Sequence, residues 1–187
     1  MDTKRRLIVL MVVVLSFVLL PSSSTQALAQ VNSSFLTYTN TDLGFTMKYP
    51  SDWTVDDKDM STVGIRFSSP DGPAAGFVGV KVNETRQTLE EMANIIENFA
   101  NSQPTNQSYG FKLIEMDKSG YFLSGHPALR TIMILGIEPN DTKIMSFMTI
   151  LGGKGYGVGY AALPANFPNL LQTAQTMIDS FQIISKQ

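Results

Sequence analysis

The 187-residue chain has no cysteine, one histidine and one tryptophan. Without cysteine there is no disulfide, no thiol nucleophile and no cysteine-borne lipid anchor, and folding is independent of the redox state of the compartment. One histidine and no thiolate cannot fill a zinc site of the usual kind. A nucleophilic triad would have to use His126, which sits beside Pro127 and near Ser119 and Ser124, and the chain has no Gly-x-Ser-x-Gly elbow. His126 therefore reads as a turn residue, and we expect no catalytic residues and no enzyme activity, a hydrolase being the residual alternative. Positive charge is also scarce, with 14 Lys and Arg against 16 Asp and Glu and no basic patch, so nucleic acid is not expected as a partner. "GGKGYG" (152–157) has Gly155 after Lys154 and lacks the spacing of a phosphate-cradling loop, which makes it a hairpin turn.

What the chain does have begins with an address. Lys4, Arg5 and Arg6 precede "LIVLMVVVLSFVLL" (7–20), a run too short to span a bilayer comfortably. "PSSSTQALAQ" follows, with the small-x-small pattern Ala27-Leu28-Ala29. Residues 1–29 are read as a secretory signal peptide and 30–187 as a single domain. The alternative is an uncleaved anchor that keeps the protein at the membrane. Cleavage would remove three bases and Asp2 and leave a net charge of −4. The expected location is secreted or extracytoplasmic. Four Asn-x-Ser/Thr sequons, at Asn32, Asn83, Asn106 and Asn140, fall in segments read as loops or termini, where glycans would fit.

Alternation marks the strands. "FLTYT" (35–39) is the first. Phe45, Met47 and Tyr49 alternate with Thr46 and Lys48, and Pro50, which has no N–H, ends that strand. The Ser51-Asp52 corner then aims Trp53 over the sheet. "VGIRFSS" and "FVGVKV" are further strands. Thr88 and Glu91 have capping-box spacing, and Leu89, Met92, Ala93, Ile96, Phe99 and Ala100 form the stripe of a first helix. From Phe111 to Ala162 the chain reads as antiparallel strands broken at 118–120, 125–127, 138–141 and 152–154. The strands 129–137 and 144–151 are apolar on both faces and so are expected to be central and covered on both sides. Gly155, Gly157 and Gly159 share one smooth face of the next strand, against which a helix or ring would pack closely. A last helix runs from about Asn166 to Phe181.

Two stretches together resemble the PsbP-like family, whose fold is shared with Mog-type proteins. One is Gly44-Phe45 leading into Tyr49, Pro50 and Trp53. The other is the closing block with Tyr156, Tyr160, Phe167, Met177, Ile178, Ser180 and Phe181; Gly125 and Ala128 resemble the family's middle strand entry. The resemblance implies an α+β fold, with a central antiparallel sheet flanked by helices on both faces. The independent pattern of helices and strands implies the same layering. Plant and cyanobacterial members support calcium and chloride retention at the oxygen-evolving photosystem, and other relatives are small binding or adaptor proteins. No ion-binding residue carries over by position.

The expected function is therefore a non-catalytic binding or adaptor module at a membrane surface or outside the cell, its partner a protein or envelope component. The alternative is an extrinsic subunit of a membrane complex that binds calcium or a small ligand. Asp56, Asp57 and Asp59 are the candidate calcium ligands, with a solvated acidic loop as the plainer reading, since the EF-hand glycine and terminal glutamate are missing. Trp53 and His126 are the candidate partner-binding residues.

Overall fold

The computed structural model describes residues 34–58, 64–102, 110–136 and 141–184. Among these residues, ten strands and two helices follow one another as β1 (Phe35–Asn40), β2 (Phe45–Pro50), β3 (Thr54–Asp56), β4 (Ile65–Ser68), β5 (Phe77–Glu84), α1 (Leu89–Ser102), β6 (Phe111–Leu123), β7 (His126–Leu135), β8 (Thr142–Leu151), β9 (Lys154–Ala162), α2 (Phe167–Asp179) and β10 (Gln182–Ile183). Seven strands form an antiparallel sheet in the order β3-β4-β5-β9-β8-β7-β6. Beside this central sheet, β1, β2 and β10 form a separate three-stranded sheet. The last strand of the described residues, β10, returns to pair with β2, Ile183 opposite Phe45, which local periodicity cannot reveal.

The register shows why both faces are covered. Leu129 of β7 lies opposite Met148 of β8, and both pack with Ala93 and Ile96 of α1. Their sequence neighbours Ala128 and Phe147 point the other way, because successive side chains in a strand alternate. There they join Tyr156, Val158 and Tyr160 of β9 in one core with Ala174, Met177 and Ile178 of α2. Phe45 and Met47 of β2 enter the same core and are fully buried. One face of the large sheet thus carries α1, and the opposite face carries α2 together with the small sheet.

Local chemistry places the helices. Thr88 Oγ1 accepts the Glu91 N–H at 3.2 Å and Glu91 Oε2 accepts the Thr88 N–H at 2.7 Å, a reciprocal box that satisfies two amides at the start of α1. α2 opens with Phe167-Pro168, proline standing where no helical N–H is required. Its entry is fixed from the sheet: Tyr160, fully buried, donates its hydroxyl to the Phe167 carbonyl at 3.0 Å.

The break expected at 118–120 is not a hairpin. β6 runs through it as one strand, with register shifts between Leu113 and Glu115 and between Asp117 and Tyr121. The chain cannot reverse there because Arg130 of β7 holds it from both sides of the second charge: its Nη1 donates to Glu115 at 2.7 Å and to Asp117 at 2.8 Å, and the guanidinium lies 5.1 Å from the Tyr121 ring. Burial opposes the charge on Arg130, but the two carboxylates outweigh it and hold its pKa above the ordinary value. The turn that does reverse the chain is Ser124-Gly125, where both residues have positive φ, 53° and 76°. Serine tolerates this conformation poorly. Its Oγ accepts the Ile183 N–H at 2.8 Å, which ties the β6–β7 turn to β10 and so joins the two sheets.

Burial drives the Tyr160 hydroxyl well above its ordinary pKa of 10.0. A pKa raised on folding gives stability that is complete below the unfolded value and lost as pH climbs towards the folded one. Unfolding in urea from pH 8 to 11.5 should therefore show stability falling above about pH 10. Tyr160→Phe should lessen that decline, to which Tyr38 and Tyr156 also contribute, and cost about 1 kcal/mol at pH 7 for the lost hydrogen bond.

Candidate functional site: the rim of the large sheet

Trp53 is 6% exposed and belongs to the main core with Phe67, Val80 and Phe181. Pro50 accepts the Trp53 N–H at 3.0 Å, so the Pro-Ser-Asp corner is a closed turn that swings the indole inward. Its ring is thus structural, and only Ser51, Asp52 and Thr54 of this corner face water. Truncation to Trp53→Ala should lower the free energy of unfolding by about 3–5 kcal/mol, read from urea denaturation.

The acidic loop divides. Asp56 ends β3 and pairs with Arg66 of β4 at 3.6 Å, while Asp57 accepts the Tyr38 hydroxyl at 3.3 Å. Burial, helped by that contact, keeps the Tyr38 hydroxyl protonated beyond its ordinary range. Asp59 lies outside the described residues. Each described carboxylate thus serves a neighbouring strand, and among the described residues no three His, Cys, Asp or Glu side chains converge as metal ligands.

His126 opens β7, opposite Leu123 of β6. It stands five strand positions from β3, about 24 Å at the usual strand spacing, so it and Asp56 cannot act on one ligand atom. Nearby Ser124 already accepts the Ile183 amide. Asn83 lies within β5 opposite Gly155, not in a loop as its sequon suggested; Asn32, Asn106 and Asn140 fall outside the described residues.

The surface feature that sequence reading missed lies beside His126. Phe122, the residue before the β6–β7 turn region, is 65% exposed. Across the strand pair stands Pro127, also exposed. The Thr149 hydroxyl donates to the Pro127 carbonyl at 2.7 Å, which brings the end of β8 alongside, with Ile150 half-buried and Leu151 exposed. Tyr121, 37% exposed, covers Phe147 edge-on from the opposite face. An apolar rim therefore surrounds the hairpin end at His126. A strand that alternates at Tyr121-Phe122-Leu123 has three apolar residues in a row, so one of them must face out, and the bulge before it decides which.

The glycine face of β9 is not closely packed as expected. A Cβ at Gly157 would meet only the Lys81 carbonyl, at 3.8 Å, and one at Gly155 the Thr85 methyl at 3.7 Å and the Asn83 carbonyl at 3.9 Å. Gly159 alone is crowded, with Ser146 at 3.2 Å. α1 lies over β6, β7 and β8 instead.

No protein-family model matches the chain, and no curated protein matches its sequence. Solved structures do match. Cyanobacterial PsbP (CyanoP) from Synechocystis sp. PCC 6803 superposes with a TM-score of 0.60 at 14% identity, over 84% of this chain and 98% of that one. The fold is Mog1/PsbP-like. LpqN of Mycobacterium tuberculosis, involved in cell envelope biogenesis, has a TM-score of 0.56 at 11% identity, covering 83% and 87% of the two chains. The Saccharomyces cerevisiae Ran-binding protein Mog1p gives 0.53 at 10% identity, covering 82% and 97%. The Mog1/PsbP-like fold accounts for the two-layered covering of the large sheet; at these identities the likeness is one of fold.

Proposed function

We propose that this chain is a non-catalytic binding module outside the cytoplasm, which engages a protein of the cell envelope through the hairpin end of its large sheet. The observation that carries the reading is Phe122. An aromatic ring 65% in water, on a strand paired and anchored on one side, is a preorganised contact that loses little entropy on binding. Pro127 across from it enlarges the apolar surface, with the half-buried Ile150 on the same face of β8 beyond it, while His126 and the main chain of the exposed Gly125 supply polar groups at the margin. Such an apolar centre with a polar border is the anatomy of protein interfaces.

The interior supports the same reading. Among the described residues the buried polar groups are hydroxyls, of Tyr160 and of serines and threonines such as Thr131, which hydrogen-bonds Ser146 at 2.7 Å, and Thr149. The carboxylates of Glu115, Asp117 and Asp56 are engaged with arginines that hold strands together. The envelope setting rests on residues 1–29, with their basic start, apolar run and Ala27-Leu28-Ala29. Structures of this fold come from a protein of envelope biogenesis and from a Ran-binding protein, both consistent with a fold used for recognition.

Two outcomes are expected. Amino-terminal sequencing of the protein from its native host should begin at Gln30; an intact start at Met1 would replace secretion by anchoring. Affinity capture from native membranes with the full-length tagged chain should retain a partner that Phe122→Ser loses at least tenfold, as befits an interface anchor. The same variant should unfold within about 0.5 kcal/mol of wild type, since the ring is exposed. Equal capture by both proteins would remove this surface from consideration.

A further inference from the structure

The exposed edges of the two sheets are defended unequally. β6, the long outer strand of the large sheet, carries two register shifts and the charges Lys112, Glu115, Asp117 and Lys118. β3, the other outer strand, is three residues long and ends on Asp56. β10 is two residues long and is tied to Ser124. Bulges, charge and shortness are the ordinary means of preventing a strand from pairing with another chain. β1 has none of them. Phe35–Asn40, "FLTYTN", contains no charge, no proline and no glycine, and it pairs with β2 in unbroken register over all six residues. Among the described residues it is the outer strand of its sheet.

The hydrogen bonds show which groups face outward. The Ser51 N–H donates to the Ser34 carbonyl at 2.8 Å, and the Gly44 N–H to the Asn40 carbonyl at 2.9 Å. The Thr46 hydroxyl reaches the Tyr38 carbonyl at 2.8 Å. In an antiparallel pair the bonding residues alternate. Ser34, Leu36, Tyr38 and Asn40 therefore turn their main-chain groups towards β2, and Phe35, Thr37 and Thr39 turn theirs to the open side. Pro50 fits this phase, since it stands opposite Phe35, where β2 donates no N–H across the pair.

We propose that β1 is a self-pairing edge, which joins a second copy of this chain by antiparallel β1–β1 addition about a two-fold axis at Thr37. The strand is self-complementary in that arrangement. Thr37 meets Thr37, Phe35 meets Thr39 and Leu36 meets Tyr38, all favourable cross-strand combinations, and no like charges oppose one another. Each of Phe35, Thr37 and Thr39 exchanges both main-chain hydrogen bonds with its counterpart. Phe35 and Leu36, 39% and 46% exposed on opposite faces of the strand, are covered by the added strand on either side. A two-fold joint of this kind closes after two copies and leaves no further β1 edge, so it makes a dimer and not a fibre.

The test is sedimentation velocity of the full-length chain in mild detergent, from about 1 µM to about 1 mM, the range suited to a joint this small. Wild type is expected to pass from monomer to dimer with concentration. Thr37→Pro removes an outward-facing donor without touching the bonds to β2, and Thr37→Lys places like charges at the axis. Each should weaken dimerisation at least tenfold with the circular dichroism unchanged; if Thr37→Pro fails to fold, Thr37→Lys carries the comparison. A chain that stays monomeric throughout, because the edge is free, capped by its own amino-terminal segment or reserved for a foreign strand, overturns the proposal. So does a dimer equally tight in both variants, as association through the apolar leader would be.

Discussion

The structure depends on a pair of strands that cannot face water on either side. β7 presents Leu129 and Met133 to one face and Ala128 and Ile132 to the other; β8 does the same with Ile144 and Met148 against Met145 and Phe147. Each fully buried side chain of this size contributes roughly 1.5–3 kcal/mol relative to exposure. A sheet built around them must be roofed twice. α1 is the roof over β6, β7 and β8, and α2 with the small sheet is the roof on the opposite face. Aromatic contacts lock the second roof in place: Phe45 stacks on Phe181 with ring centroids 5.3 Å apart, and Tyr38 meets Phe67 edge-on at 5.4 Å.

Double roofing also decides where recognition can occur. Where the two roofs close it, the large sheet has left only its rim and the open glycine face of β9. The hairpin end at His126 carries Phe122 and Pro127, and β1, the outer strand of the small sheet, carries Phe35 and Leu36. Between these, the molecule invests its charges in shape. Arg130 fastens an irregular β6 to β7, and Lys118 reaches Glu97 of α1 at 2.9 Å, so the bulged edge is clipped to the helix above it. Exposed pairs such as Lys118–Glu97 contribute little by themselves. Arg130 is different, being mostly buried and bonded to two carboxylates.

Much of this was legible before any coordinates. β7 and β8 announced that they are covered on both faces by being apolar on both, although β7 stands next to the edge strand and not at the centre, and the Thr88–Glu91 box located the start of α1 to the residue. The break read at 125–127 falls one residue earlier, at Ser124-Gly125. What remained hidden was non-local. Nothing in "SFQI" distinguishes a helix tail from a strand that pairs with Phe45 more than a hundred positions earlier. The polar break 118–120 looks like a hairpin until Arg130, on another strand, is known to bridge across it. Phe122 escaped notice because three apolar residues in succession do not say which one is outside. Trp53 misled in the opposite direction: a lone tryptophan at a corner suggests a contact for others, and here it fills the core.

The central claim, that the two helices seal opposite faces of one sheet, is open to a direct distance measurement, since the chain has no cysteine to interfere. Spin labels at Asn98→Cys on the exposed side of α1 and Gln172→Cys on the exposed side of α2 would be read by pulsed electron resonance. With each helix axis about 10 Å from the sheet and each label pointing outward, a single distance distribution centred above about 30 Å is expected. A distribution centred near 20 Å or below would place both helices on one face and contradict the architecture on which the rest is built.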